Sequence, residues 1–223
     1  MKNILVVAPH PDDEVLGCGG TILRNKAEGN TVHWLIITHI SQEQGYSFEK
    51  IKEREEEIIK VTQELGFDSV HHLKFPTAKL DQISSEELVR AISEVVATTN
   101  AQIIYAPYRS DIHTDHRIVF DATMACTKWF RYPTVEKVLV YETLSETDFT
   151  IDSDAIGFRP NIFNDISHYI ERKIEIMNIY KSELAPHPFP RSEESIKALA
   201  TLRGSAAGVK AAEAFMLLKE RIL

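Results

Sequence analysis

Ile4-Leu5-Val6-Val7-Ala8-Pro9-His10-Pro11-Asp12-Asp13-Glu14 is an apolar run of strand length that ends in one imidazole and three carboxylates. A strand buried on both faces reads as a continuous apolar run rather than an alternating one. In open α/β sheets the carboxyl ends of such strands are where ligand crevices form. A helix is expected close behind, through Leu16, Thr21, Ile22 and Leu23, and its free N-terminal amides satisfy one carboxylate. That accounts for one acid, not three.

The alternation of strand-length apolar runs with amphipathic stretches continues to about residue 143. It predicts further strands over Val32–Thr38, Val70–Phe75, Gln102–Ala106 and Lys137–Tyr141. This is the pattern of a Rossmann-like α/β fold, a mostly parallel sheet with helices on both faces. Ser47–Leu65 is the clearest helix: Ile51, Ile58, Val61 and Leu65 form one stripe, the Glu53–Glu57 run lies largely opposite, and Gly66 closes it. After Thr143 come a polar segment with Gly157 and Pro160, a helix near His168 to Lys181, a Pro-rich loop and a last helical region from Ser192. This tail is expected to cover the sheet or line a site. No repeat, low-complexity tract or Gly/Ser linker divides the chain, so residues 1–223 read as a single domain.

Lysine and arginine total 25 against 33 acids, a formal charge of -8 that gives no electrostatic reason to bind nucleic acid. The apolar stretch before Pro9 is too short for a signal-peptide core or a membrane span. A cytoplasmic protein is expected, and a homo-oligomer is compatible with the sequence. Cys18 and Cys126 form no disulfide framework and match no paired-cysteine zinc spacing. They read as buried small residues.

A second ionisable cluster, Tyr108-Arg109-Ser110-Asp111-Ile112-His113-Thr114-Asp115-His116-Arg117, follows the strand predicted over Gln102–Ala106. Both clusters therefore fall on the carboxyl rim of one sheet. Taken alone, each histidine reads as a capping or core residue. Two clusters on one rim favour a metal site, because crowded acids and imidazoles otherwise carry an uncompensated desolvation cost. Zinc accepts histidine nitrogen and aspartate oxygen, and a catalytic site wants three protein ligands with a fourth position for water. A His-x-x-Asp pair with a distant histidine provides that set.

At these residues the sequence resembles the LmbE-like, PIG-L family of zinc-dependent N-acetylglucosamine deacetylases, whose signatures resemble Pro9-His10-Pro11-Asp12-Asp13-Glu14 and the His113-x-Asp115-His116 motif. The likeness extends from Asp13–Ile22 to Arg203-Gly204 and Ala212–Phe215. It implies that His10, Asp13 and His116 hold Zn2+, with Fe2+ or another divalent ion also compatible with these ligands. It further implies that Asp12 is the general base, that a protonated His113 faces the developing oxyanion, and that Asp115 orients one of the neighbouring imidazoles. The substrate implied is a small N-acetylated sugar or sugar conjugate.

The segment Thr38–Gly45 lacks a Gly-Glu pair that many relatives carry, so selectivity is expected to differ. Arg54 stands where relatives often hold substrate with an arginine, while on the residues alone a solvated partner for Glu57 is an equal reading. Asp111, just before His113, and His187, in the Pro-flanked loop, are further substrate-binding candidates; a plain loop hydrogen bond is the alternative for each. Three rival readings carry less. Gly17-Cys18-Gly19-Gly20 suggests a nucleotide-binding module, but a dinucleotide fingerprint counted from Gly17 puts Ile22 where a small residue belongs. Cys18 as a nucleophile lacks an assigned base. A zinc amidase acting on a non-sugar acyl conjugate would use the same metal and base.

Overall fold

The computed structural model describes residues 1–151 and 157–222. Its elements in chain order are β1 (Asn3–Ala8), α1 (Asp13–Ala27), β2 (Thr31–His39), α2 (Phe48–Leu65), β3 (Ser69–Pro76), α3 (Ser85–Thr98), β4 (Ile103–Pro107), α4 (Thr114–Ala125), β5 (Lys137–Tyr141), β6 (Ile162–Asp165), α5 (Ile170–Met177), α6 (Glu193–Ala207) and β7 (Ala212–Glu220). The strands form one sheet in the order β3-β2-β1-β4-β5-β7-β6. The first five are parallel, while β7 runs antiparallel to both β5 and β6. The chain is Rossmann-like, as its first half predicts.

Alternate residues of β1 feed two cores. Ile4, Val6 and Ala8 pack with Val15 and Ile22 of α1, Val61 and Leu65 of α2, and Ile174 of α5. Leu5 and Val7 pack with Leu88 and Ile92 of α3 and Val119 of α4 on the other face. Both faces of the strand are buried, which is why its sequence shows no polar alternation. Serine caps start three of the later helices: Ser47 accepts from the Lys50 amide, Ser84 from the Glu87 amide and Ser192 from the Ser195 amide.

Two antiparallel strands, β6 and β7, lie where the sequence suggested only a polar segment and a helical tail. β6 is four residues long and half-buried, too short to show a period. The helix expected over His168–Lys181 is shorter, ending at Met177 before a 3-10 turn at Lys181–Glu183.

The glycines after β1 bring α1 tight against this sheet. A methyl group at Gly17 would overlap the Tyr141 ring, and one at Gly20 would stand 2.6 Å from Ile166. Both are packing contacts, so they give no support to the nucleotide-loop reading. Beside them, Glu213 of β7 accepts hydrogen bonds from the amides of Gly20 (2.9 Å) and Thr21 (2.7 Å). Lys173 of α5 donates to Glu213 (2.7 Å) and to the Leu16 carbonyl (2.7 Å). All of these groups are buried. No helix among the described residues is long and apolar enough to cross a membrane.

Candidate metal centre and active site

Strand order reverses between β1 and β4, the point at which doubly wound sheets open a crevice. The two ionisable loops leave the sheet there, one into α1 and the other into α4. Pro9 accepts hydrogen bonds from Thr38 through both its amide (3.0 Å) and its hydroxyl (2.9 Å), which pins the first loop to β2.

Asp12, the residue before α1, has φ 134° and ψ -29°. A non-glycine residue in such a region costs on the order of 1–3 kcal/mol and persists only where its surroundings force it. Here the Asp12 amide donates to Glu14 Oε2 (3.0 Å), and Glu14 Oε1 accepts from the Tyr180 hydroxyl (2.8 Å). Burial pushes the Glu14 carboxyl up to about 8. Glu14, the third acid of the motif, therefore shapes the turn.

His10 Nδ1 and His116 Nε2 each lie 3.3 Å from Asp13 Oδ2. Ligand atoms of His10, Asp13 and His116 all fall within 4.8 Å of one another. The remaining ring nitrogens are held from behind: Asp115 Oδ2 is 3.1 Å from His10 Nε2, and Asp111 Oδ2 is 2.7 Å from His116 Nδ1. Each imidazole thus turns one nitrogen to a backing carboxylate and the other towards Asp13, the arrangement that fixes histidine ligands around a metal. His10, His113 and Asp115 form a second group of similar spread. In that group Asp115 also accepts from the Ala78 amide (2.8 Å) and the Leu80 amide (3.4 Å), and His113 Nδ1 accepts from the Asp115 amide (3.1 Å). In this second group Asp115 is occupied by two amides and His10 Nε2, whereas in the first each imidazole keeps one nitrogen turned to Asp13, so the first group is the better fit for a divalent cation.

The electrostatics match a site that is crowded with acids. Burial opposes charge on His10, but Asp115 and Asp13 raise it to about 9. Burial also works against an ionised Asp13, which His116 and His10 nevertheless hold well below the usual carboxylate range. Burial pushes Asp12 up to about 7, with Arg191 pulling it down. Burial, together with the neighbouring His10 and His116, pushes His113 down to about 4. Both effects favour the neutral form of its ring.

Asp111 stands behind His116 and accepts from the Thr147 hydroxyl (2.6 Å) rather than facing the cleft. Losing such an outer partner costs a metal site about 10- to 100-fold in affinity. Asp111→Asn is accordingly expected to weaken metal binding by that factor in a competitive chelator titration, while a variant at exposed Asp121 leaves affinity unchanged.

The cleft above these residues has a volume of about 240 Å³ and is walled by His10, Asp12, Arg54, His113, Glu146 and Arg191 on the catalytic side. Thr38, His39 and Ile40, from the segment that departs from the family pattern, line its other side with Tyr46, Lys50 and Lys74. Arg54 donates to the Pro11 carbonyl (2.8 Å), lies 3.2 Å from Glu57 Oε2 and contacts Glu183. It therefore joins the cleft wall and also makes the pairing with Glu57. His187 is exposed; the group its loop delivers to the cleft is Arg191. Arg191 Nη1 donates to Asp12 Oδ2 at 2.6 Å. Nothing in the sequence marked Arg191, because a lone arginine carries no spacing signal and its partners lie far away in the chain. Cys18 is fully buried, and burial pushes its thiol well above the ordinary range, which leaves no reactive thiolate.

Similarity to known proteins runs along the whole chain. A diacetylchitobiose deacetylase from Thermococcus kodakarensis is 25% identical over 226 residues, spanning 96% of this chain and 82% of its own. The conserved protein TT1542 of Thermus thermophilus superposes with a TM-score of 0.79 at 28% identity, covering 100% of this chain and 97% of that one. A 4-carboxy-2-hydroxymuconate hydratase from Pseudomonas putida shares the fold at 18% identity, with a TM-score of 0.76 and coverage of 100% and 98%. One fold thus carries more than one chemistry, and the site must decide between them. Residues 5–127, more than half of the chain and inclusive of both ionisable loops, match the family described as PIG-L: GlcNAc-PI de-N-acetylase, and the chain belongs to that family.

Proposed function

We propose that the protein is a metal-dependent N-deacetylase that hydrolyses the acetamido group of an N-acetylated amino sugar or sugar conjugate, with zinc as the metal. The observation that carries this reading is the convergence of His10, Asp13 and His116, with His10 and the neighbouring Asp12 carboxylate lining a cleft. Membership of a de-N-acetylase family supports the same reaction. A divalent cation held there supplies a Lewis acid and lowers the pKa of a water nucleophile towards neutrality.

The chain's own groups then divide the proton work. Asp12 Oδ2 is engaged by Arg191, and Oδ1 accepts the proton of the attacking water. The water oxygen bonds to the acetyl carbonyl carbon, and the carbonyl electron pair moves onto its oxygen. His113 meets that charge as a neutral donor. Its Nδ1 accepts the Asp115 amide hydrogen, so the ring proton sits on Nε2. As the C–N bond breaks, Asp12 passes its proton to the departing nitrogen, giving acetate and the free amine.

Removing an oxyanion donor costs about 100- to 1,000-fold in kcat. His113→Ala should show that loss while retaining metal and KM in steady-state kinetics with elemental analysis; an unchanged kcat would remove His113 from this role. The reading as a whole is tested by acetate release from a panel of N-acetylglucosamine derivatives, before and after chelation and after zinc return. Chelation-sensitive release supports it. Bound metal with no release from any sugar turns the assignment to an amidase of other acyl conjugates.

A further inference from the structure

The catalytic reading uses Arg191 only as the neighbour of Asp12 Oδ2, although its side chain ties several segments of the cleft together. Besides Asp12 Oδ2 at 2.6 Å, its guanidinium donates to Ser145 Oγ (2.7 Å), Glu146 Oε1 (3.1 Å) and Glu183 Oε2 (3.3 Å). The side chain is only 16% exposed. Arg191 immediately precedes Ser192, the cap of α6, and follows Pro190, so its backbone is fixed by a helix start on one side and a restricted ring on the other. Ser145 and Glu146 come from the segment after β5, and Glu183 from the 3-10 turn after α5. With the Asp12 turn, three separate segments hold one planar fork in register.

Asp12 needs such a support. Its backbone is in a conformation that an aspartate rarely adopts. The turn fixes its amide through Glu14 and its carbonyl through the amides of Val15 (3.0 Å) and Leu16 (2.9 Å). Neither contact restrains its carboxylate. Arg191 is the side-chain partner of that carboxylate among the described residues, and it takes one oxygen only. We propose, building on the deacetylase reading, that Arg191 is a positioning residue: it binds Asp12 Oδ2 and so presents Oδ1 to the attacking water. It acts through Asp12 and not on the substrate. The Arg191 fork is suited to this because a planar guanidinium fixes direction as well as charge.

A double-mutant cycle tests the assignment, with Arg191→Ala, Arg191→Lys, Asp12→Asn and the double variant Asp12→Asn/Arg191→Ala. Displacing a reacting group by about 1 Å costs about 100-fold in rate. Arg191→Ala should therefore lose about that much kcat, with KM and bound metal unchanged, and Arg191→Lys should recover part of it. In the Asp12→Asn background the same alanine should change kcat hardly at all, because the group it positions is already gone. Two results would overturn the proposal: an equal loss in both backgrounds, or a raised KM at unchanged kcat, which would make Arg191 a substrate contact. The deacetylase reading stands or falls separately, on acetate release by the unaltered chain.

Discussion

His116→Ala is expected to abolish both metal binding and acetate release. His116 is 1% exposed, and its Nε2 points at Asp13 Oδ2 while Nδ1 is tied to Asp111. The substitution removes one of the three proposed ligands and leaves two buried carboxylates, Asp13 and Asp111, facing a void. An outer partner alone is worth about 10- to 100-fold in affinity, so loss of a ligand should exceed about 100-fold. Elemental analysis of the purified variant, with excess zinc offered during refolding, measures it directly. A near-stoichiometric metal content would show that the cation sits elsewhere. A melting curve alongside separates lost metal from lost fold, since stranded buried charges cost several kcal/mol on their own.

Asp12→Asn should give the opposite pattern: metal retained, turnover lost. Its carboxylate belongs to the cleft wall and not to the metal-ligand group. A positioned general base contributes about 100- to 10,000-fold, and asparagine keeps the shape while removing the basic oxygen. Arg191 retains Ser145, Glu146 and Glu183 in the variant, so the fold around the cleft should hold. Matched measurements of metal content and kcat decide the roles. Equal metal loss in the Asp12 and His116 variants would refute the separation of base from ligands.

The sequence made some features legible and not others, for physical reasons. β1, β2, β4 and β5 were readable because each is a largely apolar run between helix-length stretches, and β3 was legible on Val70, Leu73 and Phe75 despite two histidines and a lysine. Burial continues past β1 into the ionisable loop, where Asp12, Asp13 and Glu14 are buried. β6 and β7 were not, because one has four residues and the other, Ala212–Glu220, is separated from the end of α6 by only four residues. The ionisable clusters could be placed on one rim because each follows a strand. What spacing does not give is direction. Asp111 and Asp115 are alike in the sequence, yet each turns behind a different imidazole. Arg191 reaches Asp12 across 179 residues, a distance over which only the folded chain can report.

The place of β7 in the sheet has a consequence for how the protein is made. It comes after β6 in the chain but lies between β5 and β6, so during synthesis the growing sheet stops at an open β5 edge while β6, α5 and α6 emerge. Until β7 inserts, Lys173 lacks its carboxylate and the amides of Gly20 and Thr21 lack their acceptor. A fragment ending after α6 would carry two unpaired strand edges and a buried lysine without its counter-charge. Unpaired edges are templates for pairing with other chains, so such a fragment should be captured by aggregation or by chaperones. In the folded chain β7 pairs both edges and supplies Glu213 to Gly20, Thr21 and Lys173.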